Sequence, residues 1–299
     1  MLIDANHDEE TRVIVLNNNG KIQEFDIEAK DRNQIRGNIY LAKVTRVEPS
    51  LQAAFVEYGG NRHGFLAFNE IHPDYYQIPT SERKKLLEEE SELVSKSDTS
   101  EEIDESVTDE AEDGSAEVIG EDTINHDASK RNPKHRKRYK IQEVIKKRQI
   151  ILVQVTKEER GNKGAALTSY ISLAGRYCVL MPNTARGGGI SRKISDIKTR
   201  NKIKSSIDSL KIADGMGVII RTAGAQRTKT EIKRDFEYLT RLWQTIRDLT
   251  LNSSAPALIY EEGSLVKRSI RDLYNKDVEE IVISGEGAFL EAKNFMKML

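Results

Sequence analysis

The sequence predicts a mixed α+β chain organised around a small barrel of five short strands. Three observations predict it. Five short apolar runs are separated by turns that contain glycine. Two later segments, 195–212 and 228–250, carry apolar residues at three- and four-residue spacing. A long charged stretch without aromatics separates the third barrel run from the fourth, and it reads as a loop rather than a domain.

The elements follow in order. Residues 1–36 alternate apolar and polar positions, with Val13, Val15 and Leu16 before a turn at Asn17–Gly20 and Ile22, Phe25 and Ile27 after it. That pattern predicts a hairpin. Residues 37–70 contain the runs NIYLAKVTRVE, LQAAFVEYG and HGFLAF, with Gly59, Gly60 and Asn61 as punctuation. The pattern resumes at QIILVQVTKEE and AALTSYIS. Five such strands fit a barrel of the oligonucleotide-binding type. A long insertion in one loop costs little, because closure entropy grows only with the logarithm of length. In 195–212, Ile203, Ile207 and Leu210 share a helix face and Ile197 lies off it. GVIIRTAG follows as a buried strand and turn. Residues 228–250 place Ile232, Phe236, Leu239, Trp243, Ile246 and Leu249 along one stripe. Asn252–Pro256 reads as a linker, followed by SLVKRSIRDLY, VEEIVIS and a last helix, AFLEAKNFMKML. A helix with no closing strand after it is what a fragment would end on.

Composition narrows the class. The 299 residues hold 47 Lys and Arg against 48 Asp and Glu, with 37% hydrophobic and 32% charged residues. The net charge of −1 hides a separation: residues 88–127 carry 17 acids and one base, Lys96, so the remainder is strongly basic. ASKRNPKHRKRYK follows directly, with seven Lys and Arg between Lys130 and Lys140. The acidic run lacks the apolar surface to offset its ordering entropy and reads as a disordered, solvated linker. The basic run is either a solvated linker or a phosphate-binding arm. No apolar run is long enough to cross a membrane, and MLIDANHDEETRVIV has acids where a signal peptide starts basic. One cysteine, Cys178, excludes an internal disulfide and sits in an apolar run that reads as core.

The chemistry-bearing motifs point to nucleic acid. Phe55 and Phe65 lie on consecutive barrel strands with Tyr58 nearby, and flat rings on such a surface stack on unpaired bases. An aromatic on a strand is also ordinary core, and spacing leaves both readings open. Lys43, Arg46, Arg62 and Lys163 are candidate phosphate contacts. Lys163 falls in TKEERGNKGAALT, flanked by glycines that let backbone amides approach an anion, or that simply make a hairpin turn. MPNTARGGGISRK carries three glycines, 187–189, between Arg186 and Arg192, and VIIRTAG puts Arg221 and Thr222 at a strand end. A terminal phosphate needs a guanidinium, a hydroxyl and free amides that converge. These segments supply all three. A salt bridge for Arg221 and a strand-end hydrogen bond for Thr222 are the alternatives. No catalytic set is visible: the five histidines lack metal-ligand spacing, the GGG run is not a Walker loop, and Asp4, Asp26 and Asp272 have no spacing that requires them to meet.

VEPSLQAAFVEYGGNRHGFL, KEERGNKGAALTSYISLAGRY, LMPNTARGGGISRKI and GMGVIIRTAG together resemble the N-terminal half of the ribonuclease E/G family, over nearly all of the chain outside 80–140. The resemblance implies an α+β fold with a split ribonuclease-H-like subdomain (1–36 plus 266–299). Into it are inserted an S1-type OB barrel (37–168, with the disordered insert at about 81–140) and a 5′-monophosphate sensor (169–265). It implies RNA contacts at Phe55, Phe65 and Lys163, to which the residue reading adds Tyr58, and a 5′-phosphate pocket of Gly175, Val179, Arg192, Arg221 and Thr222. The family's magnesium-binding aspartates and its CPxCxG zinc link are not matched here, so no catalytic or metal residue carries over. The implied activity is endoribonuclease cleavage of single-stranded, AU-rich RNA in mRNA decay and rRNA and tRNA processing. The partners are RNA with a 5′-monophosphate, a family homotetramer for which this chain alone is a monomer or weak dimer, and degradosome proteins through a downstream region. The implied location is the cytoplasm, with peripheral membrane association through regions outside this chain. The long insert argues against the shorter ribonuclease G branch. The competing readings are a stand-alone RNA-binding or regulatory module and a structural subunit without RNA affinity.

Overall fold

The computed structural model describes residues 1–299 apart from 8, 18, 30–33, 90–138, 160–162, 185–187, 192, 195, 214, 275–276 and 299. Three sheets carry the architecture, which is mixed α+β. The first begins with β1 (Leu2–Asp4), β2 (Glu10–Leu16) and β3 (Ile22–Ala29). The predicted hairpin is β2–β3, and its turn is held by the Asn17 carboxamide, which accepts the N–H groups of Asn19 and Lys21. Val13 and Val15 point into a core, but Ile22, Phe25 and Ile27 are exposed. The register explains the difference: Phe25 opposes Ile14 and Ile27 opposes Arg12, so both lie on the sheet face opposite Val13 and Val15.

The barrel is β4 (Ile39–Glu48), β5 (Ala53–Glu57), β6 (Gly64–Ala67), β7 (Ile150–Lys157) and β8 (Ala166–Thr168), the five runs predicted. The long β4 closes it by pairing with β5 through its second half and with β7 through its first. β6 and β8 pair in parallel and the other neighbours are antiparallel. The closed five-strand barrel is OB-like. Val44, Val56, Leu66, Ile151, Val153 and Leu167 fill it. Helix α1 (residues 80–89) and the short α2 (Ile141–Val144) flank the charged stretch. Glu88 and Glu89, which open the acidic run, lie in α1. The rest of that run and the basic run through 138 fall outside the described residues.

The second sheet is ordered β11 (Gly188–Ile190), β12 (Gly217–Ile220), β10 (Cys178–Met181), β9 (Leu173–Ala174). Two helices bury their apolar stripes with it. α3 (Ile197–Asp208) contributes Ile203 and Ile207, and its stripe is continued by Leu210; Ile197 is exposed. α4 (Lys229–Asn252) contributes Ile232, Phe236, Leu239 and Ile246. α4 starts where it does because Thr228 and Glu231 form a reciprocal capping box, a device worth about 1 kcal/mol. β13 (Ala257–Tyr260) then adds to the barrel on β4. Helix α5 (Leu265–Leu273), β14 (Val282–Ser284) and α6 (Glu286–Met298) return to the first sheet, where β14 pairs in parallel with β1. Ile3, Val13 and Val15 pack there with Leu265, Ile270 and Phe295. Among the described residues, no helix is long and apolar enough to cross a membrane.

Candidate nucleic-acid interface

Strand alternation sorts the barrel aromatics. Ala54, Val56 and Leu66 point inward and are fully buried, which turns Phe55 and Phe65 outward, each half-buried. The two oppose each other in register across β5 and β6, with ring centroids 6.0 Å apart and planes at 72°. On the other side of Phe55, a register shift between Val44 and Arg46 brings Arg46 opposite it. The Arg46 guanidinium lies 4.8 Å from the Phe55 centroid, and the side chain stays 65% exposed. The Thr45 hydroxyl donates to the Phe55 carbonyl at 2.9 Å and pins the two strands together at this point.

Lys163 is exposed and stands two residues before Ala165, whose carbonyl accepts the Phe65 N–H at 2.8 Å. Gly164 makes that approach possible, since a Cβ there would sit 1.9 Å from the His63 carbonyl oxygen. Gly161 and Asn162 of the same loop lie outside the described residues. Of the other candidate cations, Arg62 is exposed and Lys43 half-buried. Outward rings beside guanidinium and ammonium groups are the combination that single strands require, a stacking face and a charge for the backbone.

Tyr58 corrects the sequence reading. It lies past the end of β5 and folds inward, 1% exposed, edge-on to Tyr40 with centroids 5.1 Å apart. Its hydroxyl donates to Glu159 Oε1 at 2.8 Å. Burial, with the Glu159 carboxylate beside it, pushes the phenol well above its usual range. It is a core residue and offers no face to a base.

The expected phosphate pocket is also arranged differently. Donors do converge around Gly175–Cys178, but they converge on two carboxylates of this chain. Asp235, 6% exposed on α4, accepts the N–H groups of Arg176 (3.1 Å), Tyr177 (2.8 Å) and Cys178 (2.9 Å). The Cys178 thiol donates to it as well, at 3.2 Å, and burial next to that carboxylate raises the thiol pKa well above its usual value. Gly175 fits because a Cβ would meet the Asp235 carboxylate at 2.5 Å. Arg221 is 7% exposed, and its Nη1 donates to the Gly175 carbonyl at 2.8 Å and to Asp272 Oδ1 at 2.7 Å. The guanidinium expected to face a terminal phosphate is therefore a buried ion pair linking the start of the β12 turn to α5. Val179 is buried in β10 between Ala174 and Ile219, its register partners. Thr222 is half-buried at the start of the turn Thr222–Gly224, and Arg192 lies outside the described residues. Gly188 and Gly189 of the GGG run form β11, where Gly189 packs on Ile219.

Asp272 belongs to a larger buried network. Arg271 donates to both Asp272 oxygens and to Glu262. Burial alone would raise the Asp272 carboxyl, but Arg271 and then Arg221 outweigh it and hold it below the usual carboxylate range. At Glu262 burial wins over Arg271, and its carboxyl lies above that range. Asp235 carried a signal in the sequence, since it falls on the apolar stripe between Ile232 and Leu239, where a charge needs partners. The Arg221–Asp272 pair carried none, being 51 residues apart. Among the described residues, no three His, Cys, Asp or Glu side chains are grouped to hold a metal ion.

A closed five-strand barrel with paired outward aromatics and flanking cations defines the class: OB-like β-barrel proteins. Comparison with known proteins narrows it. Residues 172–299 match the model of the Ribonuclease E/G family. The chain is 36% identical over 299 residues to Ribonuclease E of Haemophilus influenzae, covering 100% of this chain and 26% of that protein. It is 36% identical over 283 residues to Ribonuclease E of Escherichia coli, covering 95% and 22%. It is 30% identical over 286 residues to Ribonuclease G of Haemophilus influenzae, covering 96% and 48%. The chain belongs to the ribonuclease E/G family, and it spans about a quarter of the length of these two ribonuclease E relatives.

Proposed function

We propose that this chain is the RNA-gripping part of an endoribonuclease that acts on single-stranded RNA, of the ribonuclease E branch. The observation that carries the reading is the Phe55–Phe65 pair, turned outward on the barrel with Arg46 over one ring and Lys163 beside the other strand. Higher identity to the ribonuclease E relatives than to the ribonuclease G relative supports the branch. The division of labour follows the bounds expected from the sequence: 37–168 grips the strand, 169–265 reads its leading end, and 1–36 with 266–299 forms the frame. The parent's cleavage of AU-rich RNA in decay and processing, its use of Mg²⁺, a zinc-linked tetramer and a cytoplasmic setting complete the proposal. No cleavage step is assigned to the described residues.

The barrel is tested by Phe55→Ala. Base–aromatic stacking contributes about 1–3 kcal/mol per base, so affinity for a single-stranded oligonucleotide should fall roughly 5- to 150-fold. Thermal stability should change little, because the ring is half out of the core. Unchanged affinity in fluorescence anisotropy rejects the platform.

End recognition enters the proposal in an altered form. A terminal phosphate reaches Arg221 only by displacing Asp272, with Thr222, Gly175 and Val179 nearby in the chain's turn and β10; Arg192 keeps the role that the resemblance implies. The chain should then bind 5′-monophosphate RNA more tightly than the same RNA with a 5′-hydroxyl. Equal affinities remove end recognition and leave the barrel reading intact.

A further inference from the structure

We propose that a basic groove beside the aromatic pair is a second RNA subsite, one that takes the sugar–phosphate backbone of the nucleotides running off Phe55. The inference rests on the reading of Phe55 and Phe65 as a base platform. The groove encloses about 500 Å³. One wall is the outer half of β4, with Arg46 and Val47; the other is α2 and the loop after it, with Gln142, Lys146 and Lys147. Three of these side chains are cationic and none is acidic. Lys146 and Lys147 are exposed and have no carboxylate partner among the described residues. The nearest acid on the β4 wall is Glu48, with Oε2 4.0 Å from Arg46 Nε.

Two features make this a built surface rather than a scatter of lysines. Arg46 belongs to both sites, since the guanidinium over the Phe55 ring also lines the groove. A strand stacked on Phe55 therefore leaves the ring directly into the groove. The lysine-bearing loop is also held in place. Arg148 N–H donates to the Val44 carbonyl and Val44 N–H to the Gln149 carbonyl, each at 2.8 Å. Gln149 Oε1 accepts the Lys146 N–H at 3.1 Å while its amide donates to the Tyr75 carbonyl at 2.6 Å. Arg148 adopts φ +70°, a conformation that costs a non-glycine residue on the order of 1 kcal/mol. The bonds around it hold that strain and aim Lys146 and Lys147 across from Arg46.

The chemistry favours a polyanion. Lysine and arginine on two facing elements neutralise successive phosphates and release their counterions. Docking a protein would call for a large aromatic anchor at the centre of the patch, and the apolar lining here is aliphatic, Val47 and the buried Ile145, beside three cations.

The test compares oligouridylates of about 5 and about 15 nucleotides, the range of single-strand site sizes on such barrels, bound to the 299-residue protein across a salt series. The variants are Lys146→Gln with Lys147→Gln, Phe55→Ala, and a charge-matched control, Lys202→Gln with Lys204→Gln on α3. The groove pair should weaken the long oligomer on the order of tenfold at about 0.1 M salt, and lower its log–log salt slope by about 1.4, or about 0.7 for each phosphate that is no longer neutralised. The short oligomer and the melting temperature should hold, and the α3 control should leave the long oligomer unchanged. An unchanged long-oligomer affinity and slope overturns the subsite and is the result a protein-docking groove would give. Equal weakening of both oligomers, or an equal effect from the α3 control, also overturns it, because the lysines then act only through net charge. Phe55→Ala without effect on either oligomer removes the platform reading and this inference with it. Phe55→Ala active with the lysine pair silent removes this inference alone.

Discussion

An Asp272→Ala protein should be less stable than the wild type by about 3–5 kcal/mol, the cost of leaving a buried charge without its partner. The side chains concerned are well covered: Asp272 is 15% exposed, Arg221 8% and Arg271 13%. Among the described residues, removing the carboxylate leaves Arg221 with the Gly175 carbonyl and Arg271 with Glu262. Urea denaturation measures the loss, and a change below about 1 kcal/mol would mean that water replaces the carboxylate at little cost. The pH dependence has a definite sign. The folded carboxyl of Asp272 lies below its unfolded value of about 3.9. Its contribution is therefore full above that pH and is lost as pH falls through the lower, folded value. Wild type should accordingly lose more stability than Asp272→Asn between about pH 4 and the acid transition. The same variant bears on end recognition, because it frees the guanidinium that a terminal phosphate would otherwise have to win from Asp272.

Asp235→Ala is expected to be comparably severe, at about 3–6 kcal/mol. Each buried N–H left without an acceptor costs about 1–3 kcal/mol, and three backbone amides depend on this carboxylate. Asp235→Asn keeps one acceptor oxygen and should cost less. Thermal denaturation of the two variants should rank them in that order, and equal losses would show that charge matters more than the accepted bonds. The effect also reaches Arg221. The amides held by Asp235 fix the turn whose Gly175 carbonyl receives the guanidinium, so the two carboxylates stabilise one junction from two helices.

Much of this junction was hidden in the sequence, whereas the barrel was plain. The five strand runs stand out because alternation follows directly from the two-residue period of a strand, and α4 stands out because its stripe follows the helical period. Alternation puts Phe55 on the face opposite Ala54 and Val56, and the structure shows that theirs is the inward one. The same alternation continues one step past the strand: Tyr58 shares parity with Ala54 and Val56 and is buried with them, so its parity, followed through, argued for core and against a base contact. The hairpin shows a related limit. Its pattern was correct, yet Phe25 and Ile27 face outward, because a pattern says which residues share a face and not which face is covered.

The sequence by itself determined the five barrel runs, the two long helical stripes, the separation of charge and the family. These depend on backbone periods and on motifs contiguous in the chain. Tertiary structure alone decided that Arg221 is occupied by Asp272, that three amides are filled by Asp235, and that Lys146 and Lys147 face Arg46. Each of these joins residues that are distant in sequence, and which charge meets which depends on how folded elements dock. Coulomb attraction acts on distance in space, and no periodicity along the chain records it.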